Sequence, residues 1–245
     1  MLARDKLINA GTVFFKCRSY IPLGLVMLMF LQRRHFYVIK SPYFKDAVFE
    51  SVCFSVALFG FAVRAYTVGH CRSGTSGRNT KGQYADSLNT DGIYSIVRNP
   101  IYIGNFFIVL GISMLSQSYE VVLISALLFT SFYVPIILAE ENFLLAKFKD
   151  AFTEYARHTP AMVPNFKLWR NPELKFNVVR FLAREHDSFM GIVWGFFFVE
   201  ILRDYTLENK ISFDAGWIFI FGISLTLWII LKSMKKYLKS IDKGH

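Results

Sequence analysis

Val121-Val122-Leu123-Ile124-Ser125-Ala126-Leu127-Leu128-Phe129-Thr130-Ser131-Phe132-Tyr133-Val134-Pro135-Ile136-Ile137-Leu138-Ala139 carries no charge and then ends in a carboxylate pair, Glu140-Glu141. Its length suits a helix crossing a bilayer, which needs about 20 mostly apolar residues. Upstream, Gly92-Ile93-Tyr94-Ser95-Ile96-Val97-Arg98-Asn99-Pro100-Ile101-Tyr102-Ile103-Gly104-Asn105 runs straight into another apolar stretch. An arginine at the mouth of one membrane helix and two acids at the foot of the next are more than an anchor needs. Charge is costly at membrane depth and cheaper at a helix end, where these three groups stand. They imply a polar pocket at the membrane surface.

The rest of the chain fits that setting. Hydrophobic residues make up 53% and aromatic residues 17%, with 26 Phe, which is too apolar for an ordinary soluble domain of 245 residues. The apolar residues fall in blocks, at 10–31, 47–68, 101–116, 121–139, 188–203 and 213–232. The second, fourth and sixth reach spanning length; the third and fifth are short, and the first contains Lys16 and Arg18. The expectation is an all-α polytopic membrane bundle of about six transmembrane helices, plus a cytosolic amphipathic helix. With the N-terminus inside, nineteen of the 28 Lys and Arg residues fall on one side and six on the other. Positive-inside orientation then places both termini and the active-site end in the cytosol, with bacterial inner membrane and eukaryotic endomembrane not distinguished. The net charge of +10 sits beside apolar spans, which points to anionic headgroups and away from nucleic acid. Cys17, Cys53 and Cys71 have no ligand spacing and no HExxH or CxxC occurs, so no metal is expected. Gln32-Arg33-Arg34-His35 follows the first apolar run without a small-residue cleavage site, which reads as a retained helix.

Within the second span, Glu50 and Arg64 lie roughly 21 Å apart along a helix and cannot pair; Arg64 either snorkels or faces the bundle interior. The Gly/Ser/Thr/Asn-rich 70–91 loop lacks a P-loop ending and reads as a lid, a headgroup-facing loop or a solvated connection. From Asn142 to Arg157, Leu145, Phe148, Phe152 and Tyr155 recur at helical steps opposite Lys147, Lys149, Asp150, Glu154 and Arg157. That spacing predicts one amphipathic helix, stopped by Pro160 and Pro164, lying along the bilayer or packed on the bundle. Residues 165–187 are polar and basic, and the last two spans read as an appended hairpin. Trp169, Trp194, Trp217 and Trp228 suit interfacial anchoring or packing, and His35 and His158 sit beside basic residues facing headgroups.

Pro100 suits a first helical turn with Asn99 as its capping side chain, which holds Arg98 just outside the N-terminus. Gly104 and Gly111 thin one face for close helix approach. If spans three and four form a hairpin closed by Gln117-Ser118-Tyr119-Glu120, Arg98 and Glu140-Glu141 become neighbours.

The pattern Gly-x-Tyr-x-x-x-Arg-Asn-Pro-x-Tyr-x-Gly-Asn followed by Glu-Glu-x-x-Leu-x-x-x-Phe-x-x-x-Phe-x-x-Tyr resembles the isoprenylcysteine carboxyl methyltransferase family. The resemblance covers about residues 58–166 and divides the chain into N-terminal membrane helices (1–57), a methyltransferase core (58–166), and a basic linker with a C-terminal transmembrane hairpin (167–245). It implies an integral-membrane O-methyltransferase using S-adenosylmethionine. Asn99, Pro100, Tyr102, Gly104, Glu140 and Glu141 would bind the cofactor, and Arg98 and Glu141 would be catalytic. Asn99 departs from the family's Arg-His-Pro-x-Tyr-x-Gly; an amide hydrogen-bonds but cannot titrate near neutrality.

Carboxylates suit a sulfonium, an amino group and ribose hydroxyls. An arginine fork suits an acceptor already anionic, such as a phosphate or carboxylate on a membrane lipid or lipid-anchored molecule. Arg98, Arg64 and His70 are the candidates for contacting that acceptor. A lipid A-type phosphate and a prenylcysteine carboxylate are both within the resemblance. Two other classes compete: an NADPH-dependent sterol-reductase-like enzyme, and a non-enzymatic membrane subunit with Glu50, Arg64 and Glu200 lining a path.

Overall fold

The computed structural model describes residues 2–18, 24, 27, 28, 30, 31, 43–72, 74, 75, 83–208 and 215–243. His35 and the middle of the 70–91 loop lie outside these. The described residues form seven α-helices: α1 (Leu2–Cys17), α2 (Tyr43–His70), α3 (Pro100–Met114), α4 (Tyr119–Phe148), α5 (Asp150–His158), α6 (Val178–Glu208) and α7 (Ala215–Lys243). The protein is an integral-membrane helical bundle. Within the described residues, α2 over Val48–His70, α4, and α7 over Ala215–Met234 are long and apolar enough to cross a bilayer. These correspond to the three spans of full length read in the sequence. The third expected span, α3, is apolar but 15 residues long. The fifth, α6, extends to 31 residues because its helix begins ten residues before the apolar block, in Arg180, Arg184, Glu185 and Asp187.

Glycine sets the central packing. A Cβ on Gly60 of α2 would stand 2.4 Å from the Gly104 carbonyl oxygen of α3, and one on Gly111 would stand 2.5 Å from the Cys53 carbonyl oxygen. Two backbones this close leave no room for any side chain between them. The small face of α3 therefore meets α2, which is the close helix approach that Gly104 and Gly111 permit. The α3–α4 hairpin forms as well: Gln117 turns the chain with φ of 56°, and the Ser118 hydroxyl accepts from the Val121 amide to cap α4.

α6 is an integral wall of the bundle. Running antiparallel to α2, it packs Ile192, Phe196, Val199 and Leu202 against Cys53 and Ala57, with Phe196 edge-on to Phe54. The expected appended hairpin is thus only half appended. α7 leans on α6 through Trp194–Trp228 and Phe197–Phe221 contacts, and the Trp228 indole donates to Asp187. Nor does the chain divide at residue 57, since α2 runs through it unbroken. A second apolar cluster, Phe15, Tyr102, Phe129, Tyr133, Ile136 and Ile137, lies nearer the Arg98 end and joins α1, α3 and α4.

The charges inside the bundle are paired. Arg64 faces the interior, 7% exposed, and forks onto Glu185 of α6 with Nε–Oε2 and Nη2–Oε1 distances of 2.8 Å. Its Nη1 donates to Asn105 of α3. At the far end of the bundle, Arg203 meets both Glu50 and Glu200. Glu50, Arg64 and Glu200 therefore occupy two separate ion-pair clusters and form no continuous path.

Removing one partner of a buried pair costs about 3–5 kcal/mol, because the other charge stays buried alone. Glu185→Ala is expected to lower stability by that amount in detergent unfolding titrations, while Arg64→Met with Glu185→Leu recovers most of it. Gly60→Leu has no such rescue and is expected to give no folded protein on size-exclusion chromatography.

Candidate functional site

The chain enters α3 through a short 3₁₀ turn, Ile93–Ser95, and then Ile96 to Asn99. This entry strand is sewn to the segment after α5. The Arg98 amide donates to the Pro160 carbonyl (2.9 Å), the Asn165 amide to the Ile96 carbonyl (2.9 Å), and the Tyr155 hydroxyl to the Tyr94 carbonyl (2.8 Å). Burial raises the Tyr155 phenol above its ordinary range, against the opposing pull of Arg98, and burial likewise raises Tyr94. Both stay protonated at neutral pH.

Arg98 sits where α3, α4 and α5 converge. Its Nε and Nη2 donate to Oε1 and Oε2 of Glu141, at 2.9 and 3.0 Å, and its Nη1 donates to the Ala156 and Thr159 carbonyls. Four of the five guanidinium N–H bonds are used within the protein. Asn99 does not cap α3 with its side chain; its amide donates to Glu141 Oε1 (3.0 Å) and to the Ala161 carbonyl (3.1 Å). Glu141 thus accepts three bonds from two adjacent residues. Pro100 occupies the first turn, as its fixed φ favours.

Glu140 faces another way. One helical step from Glu141 turns the side chain about 100°, toward Tyr102 and α1. It shares a hydrogen bond with the Tyr102 hydroxyl and lies 3.8 Å from Arg18 at the end of α1. The Tyr102 ring packs 5.2 Å from Tyr133, and the Tyr133 hydroxyl shares a hydrogen bond with Asn105. A polar seam therefore runs from Arg18 through Glu140, Tyr102, Tyr133 and Asn105 to Arg64 and Glu185.

The remaining candidates divide. Gly104 is a packing residue, because a Cβ there would strike Arg64 Cγ at 2.5 Å and the Gly60 carbonyl at 2.6 Å. Arg64 belongs to the seam. His70 stands apart in an aromatic stack with Tyr66 (4.2 Å) and Phe176 (5.4 Å). The amphipathic stretch after Glu141 is two helices: Lys149, at φ 47°, breaks α4 from α5. Phe152 buries itself and Tyr155 bonds to the Tyr94 carbonyl, so the α5 half of the stripe packs on the protein, while Leu145 stays exposed. Beyond Arg98 an open depression of about 720 Å³ is lined by Arg157, His158, Val163, Asn165, Phe166 and Lys167, among others.

Residues 53–151 match the phospholipid methyltransferase family, a segment running from mid-α2 through Glu140-Glu141. That match covers 99 of the 245 residues and includes Arg98, Asn99 and both acids. It is 38% identical over 89 residues to a cobalt-zinc-cadmium resistance protein, CzcN, of Cupriavidus metallidurans, which is 36% of this chain and 41% of that one. A nickel-cobalt-cadmium resistance protein, NccN, of Alcaligenes xylosoxydans xylosoxydans is 36% identical over 90 residues, 37% of this chain and 42% of its own. The protein-S-isoprenylcysteine O-methyltransferase of Schizosaccharomyces pombe is 36% identical over 77 residues, 31% of this chain and 33% of its own. The chain thus spans less than half the length of each relative. No solved structure matches it.

The family segment contains Arg98, Asn99, Asn105 and both acids, but neither Arg18 nor Glu185, which come from α1 and α6. Sequence reasoning missed both. Arg18 was legible only as a charge interrupting an apolar block, and Glu185 as one acid in a basic stretch.

The two acids are expected to separate by mutation. Glu141→Gln leaves Arg98 without its counter-ion, and loss of about 3 kcal/mol of stability is the expected result for a partly buried pair. Glu140→Gln has only Tyr102 and a long contact to Arg18 to lose, and its unfolding midpoint should stay within about 1 kcal/mol of the parent. Equal destabilisation in detergent melts would show that the acids share one role.

Proposed function

We propose that this protein is an S-adenosylmethionine-dependent methyltransferase that methylates an anionic oxygen on a membrane lipid or lipid-anchored acceptor at the cytosolic face of its membrane. The observation that carries the reading is the division of labour between the acids. Glu141 is consumed by Arg98 and Asn99 and fixes the site's frame, whereas Glu140 keeps lone pairs for a cationic or hydroxyl-bearing ligand. The match of residues 53–151 to the phospholipid methyltransferase family supports the reaction type.

The donor set fits the methyl donor. When bound, S-adenosylmethionine supplies an activated methyl group on a cationic sulfur. Glu140, with the Tyr102 hydroxyl and the polar seam behind it, would hold its positive and hydroxyl-bearing parts. Arg98 and Asn99 keep Glu141, and with it the last turns of α4, in register. Arg98 therefore acts as a positioning residue, with one N–H left for an acceptor oxygen.

The protein side of the chemistry favours an anionic acceptor. Among the described residues, the groups bonded to Arg98 and Glu141 include no imidazole or amine, and His158 and Lys167 stand at the rim of the depression. Guanidinium groups do not deprotonate, an amide does not titrate, and Tyr94 and Tyr155 stay protonated. An oxygen already carrying negative charge forms the new C–O bond as the C–S bond breaks, and no proton has to leave. What the enzyme must do is align the reactants and exclude water.

Membranes containing the protein, given methyl-labelled donor, are expected to label an extractable lipid or lipid-anchored fraction. The turnover at saturating substrate should be flat between about pH 7.5 and 9, above the second ionisation of a phosphate monoester near pH 6, and release no proton. A rate that climbs through this range with stoichiometric acidification would mean an amine acceptor and overturn the anionic reading. Glu140→Gln is expected to raise the donor's apparent Kd at least about tenfold, the value of one lost charged hydrogen bond.

A further inference from the structure

The segment between α5 and α6 is unusual for a connection, because its largest apolar side chains point outward. Val163 is 78% exposed, Phe166 75% and Trp169 45%, and Leu174 follows the same habit, whereas Phe176 turns back onto His70 of α2. They are not loosely held. The Asn165 amide is bonded to Ile96, the Asn165 side chain caps the Phe166–Leu168 turn, and Arg170 pairs with Gly92 across an isolated bridge and donates to the Thr90 carbonyl. The backbone is fixed while the apolar tips face out. Exposed apolar surface of this kind marks an interaction site.

Its surroundings identify the partner. The segment is bonded to the residues that lead into α3, so it lies beside the N-terminal end of that apolar helix, where a bilayer's headgroup layer would meet it. Cations interleave with the apolar tips: Lys167 and Lys175 in the segment, with Arg157 and His158 on the adjacent end of α5. The depression behind Val163 and Phe166 is lined by Arg98, Arg157, His158 and Lys167. Glu141 is held by Arg98, and Glu154 is bonded to Arg157 and His158 through pairs that are about two-thirds exposed. Such exposed pairs exchange readily for another anion. Apolar tips, an interfacial tryptophan and a basic hollow behind them match the layers of a phospholipid: acyl chain, glycerol region and anionic headgroup.

We infer that the 163–169 turn and the depression behind it form a seat for an anionic phospholipid, with Val163 and Phe166 in the acyl layer and the headgroup against Lys167 and Arg157. The seat is a binding site in its own right, and it stands whether or not methyl transfer follows. It shares Arg98 with the proposed catalytic centre, and so sets a charged lipid at that centre's edge.

The test uses the full chain in neutral detergent, with Cys17→Ser removing the exposed thiol and Val163→Cys carrying a polarity-sensitive fluorophore. Short-chain phosphatidylglycerol is expected to blue-shift the label saturably, while phosphatidylcholine of the same chain length and inorganic phosphate do not. Each cation near an anionic headgroup is worth about fivefold, so Arg157→Gln with Lys167→Gln should weaken the response roughly twentyfold. These residues are exposed, so the melting temperature should not move. A response to phosphate equal to that of the lipid would mean a simple ion site. An equal response to the zwitterionic lipid would mean a non-selective apolar contact. Either result overturns the proposal. Because the readout is binding without methyl donor, its failure leaves the methyltransferase reading intact, and the reverse also holds.

Discussion

The fork of Arg98 onto Glu141 is the interaction on which the site depends. It joins the mouth of α3 to the foot of α4, and the same guanidinium collects two carbonyls at the end of α5. Three elements distant in sequence are held by one planar group whose donors point in fixed directions. A lysine could supply the charge but could not hold two carboxylate oxygens and two carbonyls at once. With Arg98 and Glu141 neutralising each other, a formally charged site at the bilayer boundary carries little net cost.

On the proposed reading, that pairing leaves Glu140 as the acid that would face the methyl donor. Adjacent residues on a helix point about 100° apart, so a carboxylate doublet is well suited to doing two things. One acid braces the frame and the other faces a seam of tyrosines and Asn105. The seam ends at Arg64 and Glu185, in contact with the wall formed by α6. A part of the chain beyond the family segment therefore completes the interior on which that segment relies.

The glycine contact between α2 and α3 works at a different scale. Gly60, Gly104 and Gly111 remove side chains where two backbones cross, and the resulting closeness brings Arg64 within reach of Asn105. Buried ion pairs tolerate little misplacement. Helix separation here governs electrostatics as well as packing.

Much of this was legible in the residues alone. Uncharged runs fixed helices of membrane length, Pro100 marked the start of α3, and the hairpin logic brought Arg98 to the acid pair, because two adjacent antiparallel helices must share an end. The role of Asn99 was not legible: its side chain could cap the helix or reach Glu141, and only the fold of the 156–161 segment decides that. The break at Lys149 escaped notice because hydrophobic periodicity continues across it, while the backbone turns at a residue whose type gives no warning. Partners such as Arg64 with Glu185, 121 residues apart, depend on which helices touch. Local spacing determines what each helix is and which end carries charge; the choice of neighbour belongs to three-dimensional packing, because a helix of uniform apolarity offers several faces and only shape complementarity selects among them.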